Sequence, residues 1–140
     1  MAGMTRDFAA TTFIVKGGET LLLYHRKIRK WFPPGGHIRE DELPCEAAVR
    51  EVKEESGLDV ELLNPRRRMG DISPEHQHVD LIYFARVIGG QLRIQESEAE
   101  GHRWCTAGDL DAEDIPEDIR RLGKRAIAAV AESTDRQSRP

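Results

Sequence analysis

The chain has 140 residues, with 21 Lys and Arg against 25 Asp and Glu, for a formal net charge of −4. That length suits one domain able to bury about two thirds of its unfolded surface unaided, and 39% hydrophobic residues with 12 glycines exclude wholesale disorder. The charge balance excludes a global positive field for nucleic acid, and no apolar run approaches the roughly 20 residues of a membrane-spanning helix.

In chain order, Phe8 to Lys16 is rich in β-branched residues, Gly17-Gly18 is a turn signal, and Thr20 to His25 is a second run of strand length, which together predict a β-hairpin. A basic patch, His25-Arg26-Lys27-Ile28-Arg29-Lys30, leads into Trp31-Phe32-Pro33-Pro34-Gly35-Gly36, expected as a rigid, ordered loop because its prolines and glycines forbid helix. Pro44 suits a first helical position. Cys45, Ala48, Val49 and Val52 recur at helical spacing, and Gly57 ends the predicted helix at Ser56. Leu58 to Leu63 reads as a strand, followed by a polar loop through Arg66-Arg67-Arg68 and Ser73-Pro74. Val79 to Val87 and Gln91 to Ile94, joined by Gly89-Gly90, predict a second hairpin. After an acidic loop from Gln95 to Gly101, His102 to Cys105 is expected as a strand. Pro116 to Glu132 is expected as a helix through Ile119, Leu122, Ala126, Ile127 and Val130. Strands and helices interleave without strict alternation, which predicts an α/β fold with a mixed sheet covered by helices. One domain spanning 1–140 is expected, with frayed ends at 1–6 and 133–140. Cys45 and Cys105 form no CxxC pair and read as free, buried thiols of a cytoplasmic protein.

The chemistry concentrates between Gly36 and Leu58. Glu51, Glu54 and Glu55 stand at i, i+3 and i+4, so their carboxylates crowd one side of a helical turn and repel. Hard divalent cations, Mg²⁺ above all, are natural partners for such a cluster. By themselves three glutamates read as a solvated acidic face. Here a Pro-Pro-Gly-Gly loop precedes them, with carbonyls able to add a ligand, and a basic patch lies upstream where metal-bound phosphate would need it. Arg50, four before Glu54, supplies a fixed positive charge, and Glu42 near the helix entry can pair with it.

This stretch resembles the signature of the Nudix hydrolases: G, five residues, E, seven residues, then REUxEExGU, with U aliphatic. Gly36, Glu42, Arg50-Glu51-Val52, Glu54-Glu55 and Gly57-Leu58 fill every fixed position over 23 residues. The flanking hairpin, the Pro-Gly-Gly approach and Arg103-Trp104 resemble the family's layout more loosely, so the likeness covers Phe8 to Val130.

The resemblance implies a Nudix-type α/β/α sandwich and a divalent-metal-dependent pyrophosphohydrolase. Its substrate would be a nucleoside diphosphate linked to another group, a nucleoside triphosphate or an ADP-ribose-like nucleotide, attacked by water at phosphorus. Mg²⁺, or Mn²⁺ in its place, would be held by Glu51 and Glu55, with Glu54 as a further ligand or water-mediated contact and the Gly36 carbonyl adding another. Arg50 would orient Glu51. Glu98 is the expected later-loop glutamate, as base or ligand, with Glu96 and Glu100 as alternatives. Arg26, Lys27, Arg29 and Lys30 are expected to meet phosphate charge, Trp31 or Phe32 to stack on a base, and Gly35 and His37 to approach substrate. His76 and His78 share a face if extended and are expected at a solvated strand end. Pro74 resembles a proline of ADP-ribose-hydrolysing members. A small-molecule nucleotide, without nucleic acid or membrane, is the expected partner of a monomer or homodimer. Two other readings stand beside this one: a catalytically inactive nucleotide-binding or regulatory domain, and an isopentenyl-diphosphate isomerase-like enzyme, which would need a cysteine facing the site. One departure from the family pattern is Leu43, where a Thr often caps the helix, a loss of about 1 kcal/mol that Glu46 can partly offset.

Overall fold

In the computed structural model, which describes residues 7–63, 69–73 and 78–138, strand β1 (Asp7–Lys16) turns through Gly17 and Gly18 into the antiparallel strand β2 (Glu19–His25). The two glycines sit at φ 57° and 77°, a region that side chains disfavour, which is why this pair makes the predicted hairpin. Along β1, Phe13 and Val15 pack on one side of the sheet and Ala10 and Ile14 on the other, so both faces are apolar and both are covered.

The Trp31 to Gly36 segment, expected as loop, contains two short strands: β3 (Trp31–Phe32) pairs with β2, and β4 (Gly35–His37) pairs with β1. The intervening prolines cannot donate to a ladder. Pro34 instead accepts a hydrogen bond from the Thr12 amide at 2.9 Å.

Helix α1 (Pro44–Ser56) begins with its proline and ends at Gly57, which at φ 77° donates its N–H to the Lys53 carbonyl at 2.9 Å. Ala47, Ala48 and Val52 are fully buried against the sheet, and the two alanines let the helix approach closely. Burial of Val52 alone contributes about 1.5 kcal/mol or more. Leu43 occupies the N-cap position, 62% exposed and with no side-chain cap; the Glu46 carboxylate accepts the Leu43 N–H at 2.8 Å and supplies half of a capping box.

After β5 (Leu58–Leu62), the predicted polar loop contains a strand, β6 (Met69–Ser73), whose partner is the first half of β7 (His78–Gly90). Arg66 to Arg68, Pro74 and His76 lie outside the described residues, as do the ends 1–6 and 139–140; His78 enters as β7 backbone. The predicted hairpin between Val79–Val87 and Gln91–Ile94 does not form. β7 runs unbroken to Gly90 and pairs with β1 in parallel and with β5 and β6 in antiparallel fashion. The chain beyond Gly90 crosses the end of α1 instead. There the Arg93 and Gln95 amides reach the Ser56 and Glu55 carbonyls at 2.7 and 3.0 Å, filling acceptors that a helix end leaves open.

Strand β8 (Ala99–Cys105) adds to β2 and starts before the predicted His102. A 3-10 turn at Asp109–Asp111 precedes helix α2 (Glu117–Ser138), which runs past the Glu132 end that its apolar spacing predicts. The sheet order is β3-β2-β1-β7-β5, with β4 on β1, β6 on β7 and β8 on β2. Val52, Leu58 and Val60 fill the layer beneath α1, while Ile119, Leu122, Ala126 and Val130 of α2 close the other face over Phe13 and Leu22. The result is the expected α/β/α sandwich around a mixed sheet. Among the described residues no helix is long and apolar enough to cross a membrane.

Candidate active site

Helical spacing turns Glu51, Glu54 and Glu55 of α1 toward β4, and the pairing of β4 with β1 holds Gly35 and Gly36 against them. The Glu55 carboxylate is buried, at 7% exposure, and accepts the Gly35 N–H at 2.8 Å. Burial pushes its pKa up to about 8; the Gly35 hydrogen bond works against that rise, and the negative charges of Glu51, Glu98 and Glu54 add to it. Gly36 lies so close to Glu51 that any side chain there would run into the carboxylate. The glycine is needed for this approach.

Arg50 organises the rest. Its Nη2 and Nε reach the two Glu42 oxygens at 2.6 and 3.0 Å, Nη1 reaches Glu51 at 2.8 Å and Glu54 at 3.2 Å, and Nη2 donates to the His37 carbonyl at 3.0 Å. The bidentate Arg50 contact, helped by the Arg39 amide, holds the Glu42 carboxyl down to about 2. The same bond with Glu42 raises Arg50 further above its already high ordinary value.

Two concave regions meet along Gly35, Gly36, His37, Glu55 and Glu98. The smaller, about 370 Å³, is the acidic one and is lined also by Arg39, Arg50, Glu51, Glu54 and Gln95. The larger, about 630 Å³, opens between the sheet and α2; its floor includes Leu23, Phe32 and Ile82. Such a pair can seat an apolar ring in one part while a polyanion faces the carboxylates in the other.

The structure therefore brings Gly36, Arg50, Glu51, Glu54, Glu55 and Glu98 together, with Gly35 and His37 at the junction. Glu96 and Glu100 line neither region; the Glu96 carbonyl accepts from the Arg26 guanidinium, and the Glu100 carboxylate lies 3.5 Å from it. Arg26, Lys27, Arg29 and Lys30 are exposed on a tight loop closed by the His25 amide on the Lys30 carbonyl at 3.0 Å, away from both regions. Trp31 is engaged elsewhere, donating Nε1–H to Asp114 at 3.0 Å and packing edge-on against Tyr24; Phe32 is the aromatic that faces the cleft. Cys45 is half-buried and Cys105 buried, and neither lines a cavity, so no thiol faces the site as an isomerase would require. Desolvation raises the Cys105 thiol above its ordinary pKa.

Sequence reasoning missed Asp118, Arg121 and Arg125, which α2 presents to the larger cleft from one helical face, and Asp80 and Thr11 on its floor. The signal for Asp80 was present: it is a carboxylate at the same strand parity as Ile82 and Phe84, which pack against the core.

The donors around the smaller region are carboxylate and carbonyl oxygens, the chemistry suited to a hard divalent cation. Among the described residues no three acidic, imidazole or thiol groups stand ready as a cation site. The distances above explain why: Arg50 draws Glu51 and Glu54 toward itself while Gly35 holds Glu55. The donor set fits such a cation, with Arg50 as the group that must yield part of its hold.

Residues 5–126 match the model of the NUDIX domain. A Bacillus subtilis protein provisionally named 8-oxo-dGTP diphosphatase is 30% identical over 115 residues, 81% of this chain and 75% of that one. The mouse asymmetrical bis(5'-nucleosyl)-tetraphosphatase is 29% identical over 82 residues, 55% of this chain and 56% of its own length. A NUDIX-family hydrolase from Clostridium perfringens superposes with a TM-score of 0.78 at 32% identity, covering 90% of this chain and 99% of that one. With its signature helix, paired clefts and sandwich fold, the chain belongs to the Nudix hydrolase family, as an enzyme of the pyrophosphatase type.

Proposed function

We propose that the protein is a divalent-metal-dependent hydrolase of a nucleoside triphosphate or ADP-ribose-like nucleotide, with Mg²⁺ as the ordinary ion and Mn²⁺ able to replace it. The observation that carries this reading is the continuity of the two cavities: a partly apolar cleft meets a carboxylate pocket along Gly35, Gly36, Glu55 and Glu98. The names of the Bacillus and mouse relatives, both specifying nucleotide phosphoanhydrides, support the substrate class.

Glu51, Glu54, Glu55, Glu98 and the Gly36 carbonyl would hold the cation. When bound, such an ion offsets phosphate charge and makes water a better nucleophile. The chain's own part is positioning and proton handling. Arg50 fixes Glu51 and Glu54 through its nitrogens at 2.8 and 3.2 Å, keeping the carboxylates apart from the leaving phosphate until substrate arrives. Glu98, exposed and at the junction, accepts the proton of the attacking water, with Glu54 as the other carboxylate in reach of the same pocket. Water oxygen bonds to phosphorus, the bridging P–O bond breaks, and the electron pair leaves with the departing phosphate. Phe32 offers a face for the base and His37 a polar edge near the phosphates. The protein works on small molecules in the cytoplasm, as a monomer or homodimer.

A panel of nucleoside triphosphates, ADP-ribose, nucleotide sugars and dinucleoside polyphosphates, assayed with Mg²⁺ and with EDTA, tests this directly. Metal-dependent cleavage of one class is expected. Silence across the panel from folded protein contradicts the reading and favours the inactive binding domain.

A further inference from the structure

We propose that Asp80 determines base specificity, selecting a base with two adjacent N–H donors, the guanine type, over adenine; this rests on the nucleotide-hydrolase reading above. On the α2-facing side of β7 the alternate residues Ile82 and Phe84 pack against the core, and Asp80 continues the same row into the cleft floor. A carboxylate at a position whose parity calls for an apolar side chain is costly unless it is used. Thr11, on the neighbouring strand β1, brings its hydroxyl to 2.8 and 3.0 Å from the two Asp80 oxygens, which fixes the plane of the carboxylate. Around it Leu23, Phe32 and Ile82 offer apolar surface suited to the faces of a flat ring. The cleft thus combines a ring-sized apolar slot with one oriented acceptor.

An ionised carboxylate accepts hydrogen bonds and donates none. Guanine places N1–H and the N2 amino group side by side, so one carboxylate can take both in a bidentate pair. Adenine and cytosine each set an amino group beside a ring nitrogen acceptor, and uracil flanks its single N–H with carbonyls. Each of these directs a lone pair at the carboxylate, leaving buried polar groups badly matched, which is how a polar subsite rejects a near-isostere.

Equilibrium titration with GMP and AMP, which needs no turnover, separates this proposal from the hydrolase reading. It is run on the wild type, Asp80→Asn and Thr11→Val beside initial rates on GTP and ATP, with thermal unfolding to establish that each variant is folded. The wild type is expected to bind GMP about 10- to 100-fold more tightly than AMP. Asp80→Asn is expected to abolish that ratio by weakening GMP and leaving AMP unchanged, Thr11→Val to reduce it partway, and kcat/KM for GTP over ATP to follow. A wild type without GMP preference overturns the proposal. So does an equal loss for both nucleotides in Asp80→Asn, the signature of a carboxylate that holds ribose or merely supports the strand. GMP preference that depends on Asp80, in a protein that turns over no nucleotide, supports base selection and contradicts the hydrolase reading. If Asp80→Asn does not fold, an unchanged ratio in Thr11→Val overturns the proposal.

Discussion

The carboxylate of Glu55 accepts the backbone N–H of Gly35 at 2.8 Å, tying the buried edge of the acidic helix face to the strand that follows the two prolines. This contact joins helix, loop and both cavities at one point. Glu55 is also the group whose burial works hardest against its own charge, with a pKa pushed up to about 8.

That elevation predicts a pH dependence of stability in metal-free buffer. A folded-state pKa above the ordinary 4.5 means that the folded chain keeps a proton which the unfolded chain releases. The associated stability is complete below about pH 4.5 and is lost as pH rises through about 8. Urea unfolding in EDTA is expected to weaken by on the order of a few kcal/mol across that window. Glu55→Gln should flatten the curve and exceed the wild type in stability at its alkaline end.

Glu42 has the opposite sign. Arg50 lowers its pKa from 4.5 to about 2, so its contribution is present above 4.5 and is lost as pH falls through 2. Glu42→Gln is expected to destabilise the protein at neutral pH and to remove this part of the acid-side decline, read as the change in thermal midpoint between neutral and acidic buffer.

Two glycines of the signature differ in what they protect. A side chain at Gly36 meets the flexible end of Glu51, whereas one at Gly57, already at φ 77°, meets the Gln91 backbone carbonyl. Gly36→Ala should therefore cost about 1 kcal/mol or less while depressing activity, because Glu51 must move. Gly57→Ala should cost about 2 kcal/mol or more. Denaturant midpoints beside turnover numbers separate the two.

At the entry of α1, Leu43 is exposed and caps nothing. Leu43→Asp or Leu43→Thr is expected to raise stability by about 1 kcal/mol, measured by urea unfolding, with activity unchanged.

Legibility in the sequence followed the range of the interactions. The Gly17-Gly18 hairpin and α1 were readable because turn glycines, an N1 proline, a C-terminal glycine and apolar spacing act within a few residues. The carboxylate cluster was readable for the same reason, since i, i+3 and i+4 positions share a face wherever the helix goes. β6 was hidden because its pairing with β7 is a long-range event that a polar segment does not announce. Gln91 to Ile94 was misread as a strand because its turn signal was sound; the segment's hydrogen bonds go to the end of α1, which no local pattern encodes. The basic loop and Trp31 looked suited to substrate by residue type, yet the tight turn at His25 and the bond to Asp114 direct them away. Asp118, Arg121 and Arg125 reach the cleft through the docking of α2, which sequence spacing alone does not locate.

The most direct measurement is turnover of a nucleoside triphosphate by the wild type and Glu55→Gln, each with Mg²⁺ and with EDTA, on protein whose cooperative unfolding has been verified. Turnover should require Mg²⁺ in the wild type and fall by about 100-fold or more in Glu55→Gln, which stays folded. Equal rates in the variant, or wild-type rates undiminished by EDTA, would contradict the assignment of this carboxylate pocket as a metal-dependent catalytic centre.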